Sequence, residues 1–283
     1  SGGNCAIFNV HPSAKGVCNY FVSLLNQGIM AAGGPANLLC SIASPTIDSA
    51  NRLMTHPEVR LVVVTGGPGV VKAAMSSGKR AVAAGPGNPP VVIDETAHIK
   101  TAAKGVIDGC SIDNNIVCIA EKEIIAVADI ADRLKKEMLS YSAIEIKGRD
   151  LKKLEKLLIT EDNHVNRNFV GKNAAVIASE IGISIGDDIR VLTCEVDREE
   201  HPFVQHEMLM PVLPMVRVPN VDEAIEMARR VEHNFRHTAV MYSTNIDALH
   251  RMARRCDASI FVKNAPSYSG IGLGGEGYTS WTI

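Results

Sequence analysis

Seven cysteines are scattered through the chain, at Cys5, Cys18, Cys40, Cys110, Cys118, Cys194 and Cys256. The count is odd, the spacings are wide and no CxxC pair occurs, so neither a disulfide framework nor a structural zinc site is indicated and a reducing compartment is expected. Cys118 stands apart, because Asp113-Asn114-Asn115-Ile116-Val117 leads into it and an apolar strand follows. A catalytic thiol needs partial exposure and surroundings that favour thiolate. Asparagine side chains and free backbone N–H groups can supply dipoles for that and for an oxyanion. A small core hydrophobe is the alternative reading of any free cysteine. The other six lie in apolar runs or beside bulky residues and read as structural.

Two further patterns could bind ligands. Thr65-Gly66-Gly67-Pro68-Gly69 joins a strand to a helix, where backbone can approach a ligand and the helix N-terminus favours phosphate. The dinucleotide fingerprint GxGxxG fails there, since Lys72 holds the place of the third glycine, and a tight βα turn is the alternative. His11, in Asn9-Val10-His11-Pro12, ends a strand at the carboxyl edge of a sheet, where open α/β sheets bind ligands; capping or core packing is the alternative. Glu199-Glu200-His201 with His206-Glu207 is dense in metal-binding residue types. It lacks HExxH spacing, and Pro202 interrupts it, so an exposed loop is expected and no metal.

The elements that must position these residues alternate strand and helix. Strands are expected at Ala6–Val10, Leu38–Ile42, Arg60–Thr65 and Arg80–Ala84, with helices at 13–32 and 46–54 and one that follows the Gly66-Gly67-Pro68-Gly69 turn through about Ser76. This βαβ rhythm implies a parallel α/β sheet. Gly85-Pro86-Gly87-Asn88-Pro89-Pro90 can continue neither regular element and marks a domain boundary, dividing 1–86 from 87–283. A second α/β unit follows. Its expected strands are Val91–Ile93, Glu123–Val127, 190–194, 212–218, 238–243 and 259–262. Helices are expected at 98–109, 129–140, 150–158, 172–181, 221–232 and 245–255. The tail is rich in glycine, at Gly270, Gly272, Gly274, Gly275 and Gly277.

Composition narrows the function class. The 283 residues are 46% hydrophobic and 21% charged, as in ordinary globular proteins. A net charge of −2 and 4% aromatics give no electrostatic or stacking case for nucleic acid, nor a charge case for a membrane surface. Gly16 to Ile47 contains no charged residue, but Asn19, Asn26, Gln27 and Gly33-Gly34-Pro35 break it, so a buried helix and strand are expected rather than a membrane span. The N-terminus has no basic segment of a signal peptide and opens directly into a strand-like run, as if mid-protein.

Together these segments resemble a known family. Phe8-Asn9-Val10-His11-Pro12, Val64-Thr65-Gly66-Gly67-Pro68-Gly69, Ala84-Gly85-Pro86-Gly87-Asn88-Pro89-Pro90 and Asp113-Asn114-Asn115-Ile116-Val117-Cys118-Ile119-Ala120-Glu121-Lys122-Glu123 are similar, in order and spacing, to CoA-acylating aldehyde dehydrogenases. The acetaldehyde and propionaldehyde enzymes of bacterial ethanolamine and propanediol utilisation are the members most resembled. The resemblance implies two α/β domains, each with a mainly parallel sheet: a Rossmann-like cofactor domain, partly missing, at 1–86 and a catalytic domain at 87–283. It implies that Cys118 is the nucleophile, passing through a thiohemiacetal and a thioester before CoA takes the acyl group. By the same resemblance His11, beside Pro12, lies near the adenosine ribose, Gly66 and Gly67 face the pyrophosphate, and Glu207 contacts the nicotinamide ribose.

Two departures matter. Hydrolytic relatives carry a base glutamate where this chain has Ala83, so CoA rather than water is the expected acyl acceptor. The family also has chain before Ser1 and after Ile283, so a truncated, poorly active piece is expected, with oxyanion donor and any targeting peptide outside it. The resemblance implies NAD, with NADP open because Ala14 is neutral, and CoA as co-substrate. It further implies a cytoplasmic protein, inside a bacterial microcompartment by family alone, that is homo-oligomeric at full length. An NADP-linked acyl-phosphate reductase of the same superfold and a catalytically weak nucleotide-binding fragment are the competing readings.

Overall fold

Short runs of β-branched residues, uninterrupted by polar positions, form strands that must be covered on both faces. Such runs build the larger of two units into which the chain divides, Ser1–Ala83 and Ala84–Ile283. The structure is a computed structural model and describes residues 3–275. Gly277 of the glycine-rich tail lies outside the described residues.

The first unit runs β1 (Ala6–Phe8), α1 (Lys15–Ala31), β2 (Leu39–Ser41), α2 (Ile47–Thr55), β3 (Leu61–Thr65), α3 (Pro68–Met75) and β4 (Arg80–Ala84). β1 and β2 pair in parallel, and β3 pairs with β4 in a separate ladder. Its small core is Met54, Val62 and Ala74. Thr46 starts α2 with a capping box, its side chain and that of Ser49 each bonding the other's backbone N–H. The expectation that the charge-free run forms a buried helix is corrected here. α1 has no buried residue, and Val17 and Tyr20 are 68% and 67% exposed. Its asparagines instead satisfy β2: Asn26 bonds both the N–H and the C=O of Leu39, at 3.2 and 2.7 Å, and Asn19 accepts from Ser41 Oγ at 2.6 Å. Cys5 and Cys40 are likewise exposed, against the structural reading of them.

The second unit runs β5 (Pro90–Ile93), α4 (Ile99–Ser111), β6 (Glu123–Val127), α5 (Ala128–Tyr141), β7 (Ala143–Glu145), α6 (Gly148–Leu158), α7 (Ala174–Glu180) and β8 (Val191–Glu195). It continues with α8 (Pro202–Gln205), β9 (Val212–Val218), α9 (Val221–Val231), β10 (Thr238–Tyr242), α10 (Ile246–Cys256) and β11 (Ile260–Lys263). The sheet is seven-stranded, in the order β11-β10-β5-β6-β9-β8-β7, and every described pairing in it is parallel. β5, β6 and β10 are buried along their whole length, as a sheet with both faces covered requires. α4 approaches the sheet through glycine: a Cβ on Gly105 would lie 2.0 Å from the Tyr242 hydroxyl of β10.

Candidate active site

Four adjacent strands of the larger sheet begin at one edge, and the residues just before them form the site. Gly87 and Asn88 precede β5, Cys118 and Lys122 precede β6, Glu207 precedes β9 and His237 immediately precedes β10. All four strands are parallel, so the site sits at the amino edge of the sheet rather than at the carboxyl edge usual for open α/β folds.

The segment before Cys118 explains its own composition. Asp113, Asn114 and Asn115 lie in the left-handed region, with φ of 45°, 50° and 66°. Among residues with a Cβ, asparagine and aspartate tolerate that conformation best. The expected role of the asparagine side chains as dipoles for the thiol is corrected by their hydrogen bonds. Asn114 Nδ2 donates to the Gly171 carbonyl at 3.1 Å and to Asn173 Oδ1 at 2.7 Å. Asn115, buried, donates to the carbonyls of Cys110 and Glu121, both at 2.9 Å. Both side chains are spent on shaping the loop. Backbone N–H groups do act on the thiol, since those of Cys118 and Ile119 favour its ionised form.

Cys118 is half-buried. Burial raises its pKa, Glu207 raises it further, and Lys122 with the two backbone N–H groups opposes them. Burial also raises the pKa of Glu207, against Lys122 and the backbone N–H of Gly87. Glu207 thus stands in the same site as Cys118. Gly87 makes that possible: a Cβ there would lie 3.0 Å from both the Cys118 carbonyl and the His237 ring. The loop bearing Glu207 is tied to the loop bearing Cys118 through Gly171, whose N–H donates to the Leu209 carbonyl at 2.9 Å.

Two site residues were not singled out from sequence. His237 is 4% exposed, its Nδ1 lies 2.9 Å from Thr238 Oγ1, and its Nε2 has no partner among the described residues. Burial, with the positive charge of Lys122, pulls its pKa to about 4, so the ring is neutral at neutral pH. Lys122 is 1% exposed, and Nζ donates to the Asn115 carbonyl at 3.0 Å and to Asn115 Oδ1 at 2.6 Å. The sequence signal for it was the charged triplet Glu121-Lys122-Glu123 opening a strand whose five residues are all buried.

The remaining expected residues lie in the first unit. His11 is exposed and caps a short turn, its Nδ1 accepting from the Ser13 N–H at 3.2 Å, with Pro12 as the first turn residue. Gly67 is the N-cap of α3 and faces open space, whereas a Cβ on Gly66 would lie 2.8 Å from the Val70 side chain. The α3 N-terminus is thereby open to a phosphate group. Ala83 lies in β4, which has no carboxylate. The 199–207 segment is not an exposed loop as expected: His201 starts α8, and its Nε2 lies 2.6 Å from Glu155 Oε1. No cluster of three metal-binding side chains occurs among the described residues. No helix among them is long and apolar enough to cross a membrane.

The sequence and the fold are both similar to those of known proteins. The sequence profile of the aldehyde dehydrogenase family matches residues 1–154 and 192–279. Acetaldehyde dehydrogenase (acetylating) EutE of Salmonella typhimurium is 46% identical over 289 residues, covering 100% of this chain and 62% of that protein. A Rhodopseudomonas palustris propionaldehyde dehydrogenase with bound propionyl-CoA superposes with a TM-score of 0.95 at 50% identity, over 99% of this chain and 62% of that one. A second structure of that enzyme holds CoA and an acylated cysteine. A propionaldehyde dehydrogenase from the fucose utilisation microcompartment of Clostridium phytofermentans gives 0.95 at 45% identity, over 100% of this chain and 65% of that one. The chain therefore spans less than two thirds of the length of these relatives.

Proposed function

Because the chain belongs to the aldehyde dehydrogenase family, we propose that it carries the thiol chemistry of a CoA-acylating aldehyde dehydrogenase acting on a short-chain aldehyde with NAD+ or NADP+. The observation that carries this reading is the half-buried Cys118 thiol, with its own N–H and that of Ile119 aimed at it and Glu207 beside it. The first unit, through Gly67 and the open α3 N-terminus, suits a dinucleotide pyrophosphate, with His11 toward the adenosine end. Glu207 suits a ribose hydroxyl near the thiol.

In the proposed reaction the Cys118 thiolate adds to the aldehyde carbon and forms a thiohemiacetal. Its own N–H and that of Ile119 help hold the negative charge. A nicotinamide bound beside the thiol would supply the hydride acceptor, and as hydride leaves the carbon of this oxyanion the C=O re-forms as a thioester on Cys118. The CoA thiol then attacks the thioester carbon, and Cys118 leaves as thiolate. In the tautomer whose Nδ1–H donates to Thr238 Oγ1, His237 Nε2 is free to take the proton of the arriving thiol. Ala83 stands in the sequence where hydrolytic relatives carry their base glutamate, which favours CoA over water as acceptor. The microcompartment origin of a 45% identical relative supports a cytoplasmic enzyme working inside such a shell.

The test is NADH formation from propionaldehyde and NAD+, with and without CoA, in this chain and in a form extended to the length of the relatives. CoA-dependent formation of acyl-CoA, lost in Cys118→Ala, is the expected result. Free acid produced at the same rate without CoA would overturn the acceptor, and turnover by Cys118→Ala would overturn the nucleophile.

A further inference from the structure

Lys122 is among the largest side chains wholly removed from solvent, yet among the described residues no carboxylate forms an ion pair with it. Its hydrogen-bond partners are two oxygens of one neutral residue, Asn115. An ammonium buried on such terms is destabilising, because amide oxygens replace only part of its lost hydration. Buried charges of this kind concentrate where chemistry needs them.

The groups around it show what its charge does. Burial lowers the pKa of Lys122, and Glu207, Cys110, Cys118 and Glu123 oppose that fall by favouring the ammonium. Lys122 in turn favours the charged forms of Cys118, Glu207, Cys110, Glu121 and Glu123. It disfavours a charge on His237. Two features bind it to the nucleophile's loop in particular. Asn115, its anchor, lies in left-handed conformation and also ties Cys110 to Glu121, so the ammonium and the thiol share one rigid turn. Burial and Glu207 both oppose ionisation of Cys118, and Lys122 is the leading cation acting against them among the described residues.

We propose that Lys122 is a positioning residue whose buried, Asn115-anchored ammonium supplies the positive field in which the Cys118 thiolate is held. The inference rests on the reading of Cys118 as the nucleophile. During turnover the same field serves twice, when the thiolate forms and when it leaves the thioester. Glu207 and Glu123 are carboxyls that burial pushes above their usual range, and neither can supply a positive charge in its place.

The experiment measures alkylation of Cys118 by iodoacetamide across the pH range in which thiols ionise, resolved by peptide mass spectrometry. Exposed Cys5 and Cys40 serve as internal standards in the same digests. Two variants are compared with the parent chain: Lys122→Met removes both charge and donor, and Lys122→Gln removes the charge but keeps a donor for Asn115. Both should move the Cys118 midpoint upward by about 1 unit or more, with the standards unchanged. A midpoint raised in Lys122→Met but not in Lys122→Gln would reduce Lys122 to a structural hydrogen-bond donor. A midpoint unchanged in Lys122→Gln overturns the proposal even if Lys122→Met fails to fold. Failure of the underlying reading looks different: Cys118→Ala would then keep its turnover whatever the midpoints.

Discussion

At the residue scale, Cys118 and His237 divide the proposed chemistry. Replacing Cys118 by alanine should lower aldehyde-dependent NADH formation by at least about 10³-fold, measured under saturating substrate. The thermal melt should barely change, because the thiol is only half-buried. His237→Ala should act on a different step. A first burst of NADH should survive, while acyl transfer to CoA slows by about 10²–10⁴-fold. Loss of the burst as well would place His237 before the thioester rather than after it. The ring titrates at about 4, so it is neutral and able to accept a proton above that pH. Acyl transfer should therefore show no inflection from His237 near neutrality and should fall as pH drops through about 4. An inflection near neutral pH that disappears in His237→Ala would contradict this environment.

At the element scale, the turn from α4 into β6 sets the geometry. Three successive left-handed residues, Asp113, Asn114 and Asn115, reverse the chain and aim Cys118 at the sheet edge. Asn115→Ala loses the buried hydrogen bonds and places alanine in a conformation that costs it about 1–2 kcal/mol. With the unpaired carbonyls added, urea unfolding should show a loss of about 2–4 kcal/mol. Asn115→Gly, which accepts the conformation, should recover part of it. Helix α4 is equally constrained on its sheet-facing side. A Cβ on Gly105 would meet the Tyr242 hydroxyl at 2.0 Å, and one on Gly109 would meet the Glu121 carboxylate at 2.1 Å. Gly109→Ala should cost about 1–3 kcal/mol in the same assay and slow the thiol chemistry by displacing Glu121. A neutral result would mean that α4 shifts freely from the sheet.

At the scale of the whole second unit, Glu121 joins the nucleophile's loop to the chain after β11. Its fully buried carboxyl accepts from the Ser267 N–H at 2.8 Å and from Ser267 Oγ at 2.7 Å. Burial lifts its pKa from 4.5 to about 7, with the Ser267 bonds opposing the rise. A folded pKa above the unfolded one means that the native state binds more protons between those values. This contribution to stability is complete below about 4.5 and is lost as pH rises through about 7. Glu121→Gln should therefore flatten the fall in urea midpoint between mildly acidic and mildly alkaline pH. An unchanged slope would assign that fall to another group, with Glu123 next in line because burial holds its pKa well above normal too.

The sequence by itself determined the elements and the nucleophile's loop. Predominantly apolar runs such as Glu123–Val127 and 212–218 became strands at the expected residues, because a parallel sheet covered on both faces selects near-continuous hydrophobic strands. The three-residue edge strand β7 escaped notice, being too short to show a period. Cys118 was legible from the polar residues before it, although they serve backbone conformation rather than the thiol. Burial was not legible: an apolar, uncharged helix α1 looks the same whether its face is covered or open. Only the tertiary structure brought Gly87, Cys118, Lys122, Glu207 and His237 to one sheet edge. Their separation along the chain carries no trace of this, because strand order in a parallel sheet is set by crossovers packing on its faces, and a residue's electrostatic partners follow from that order.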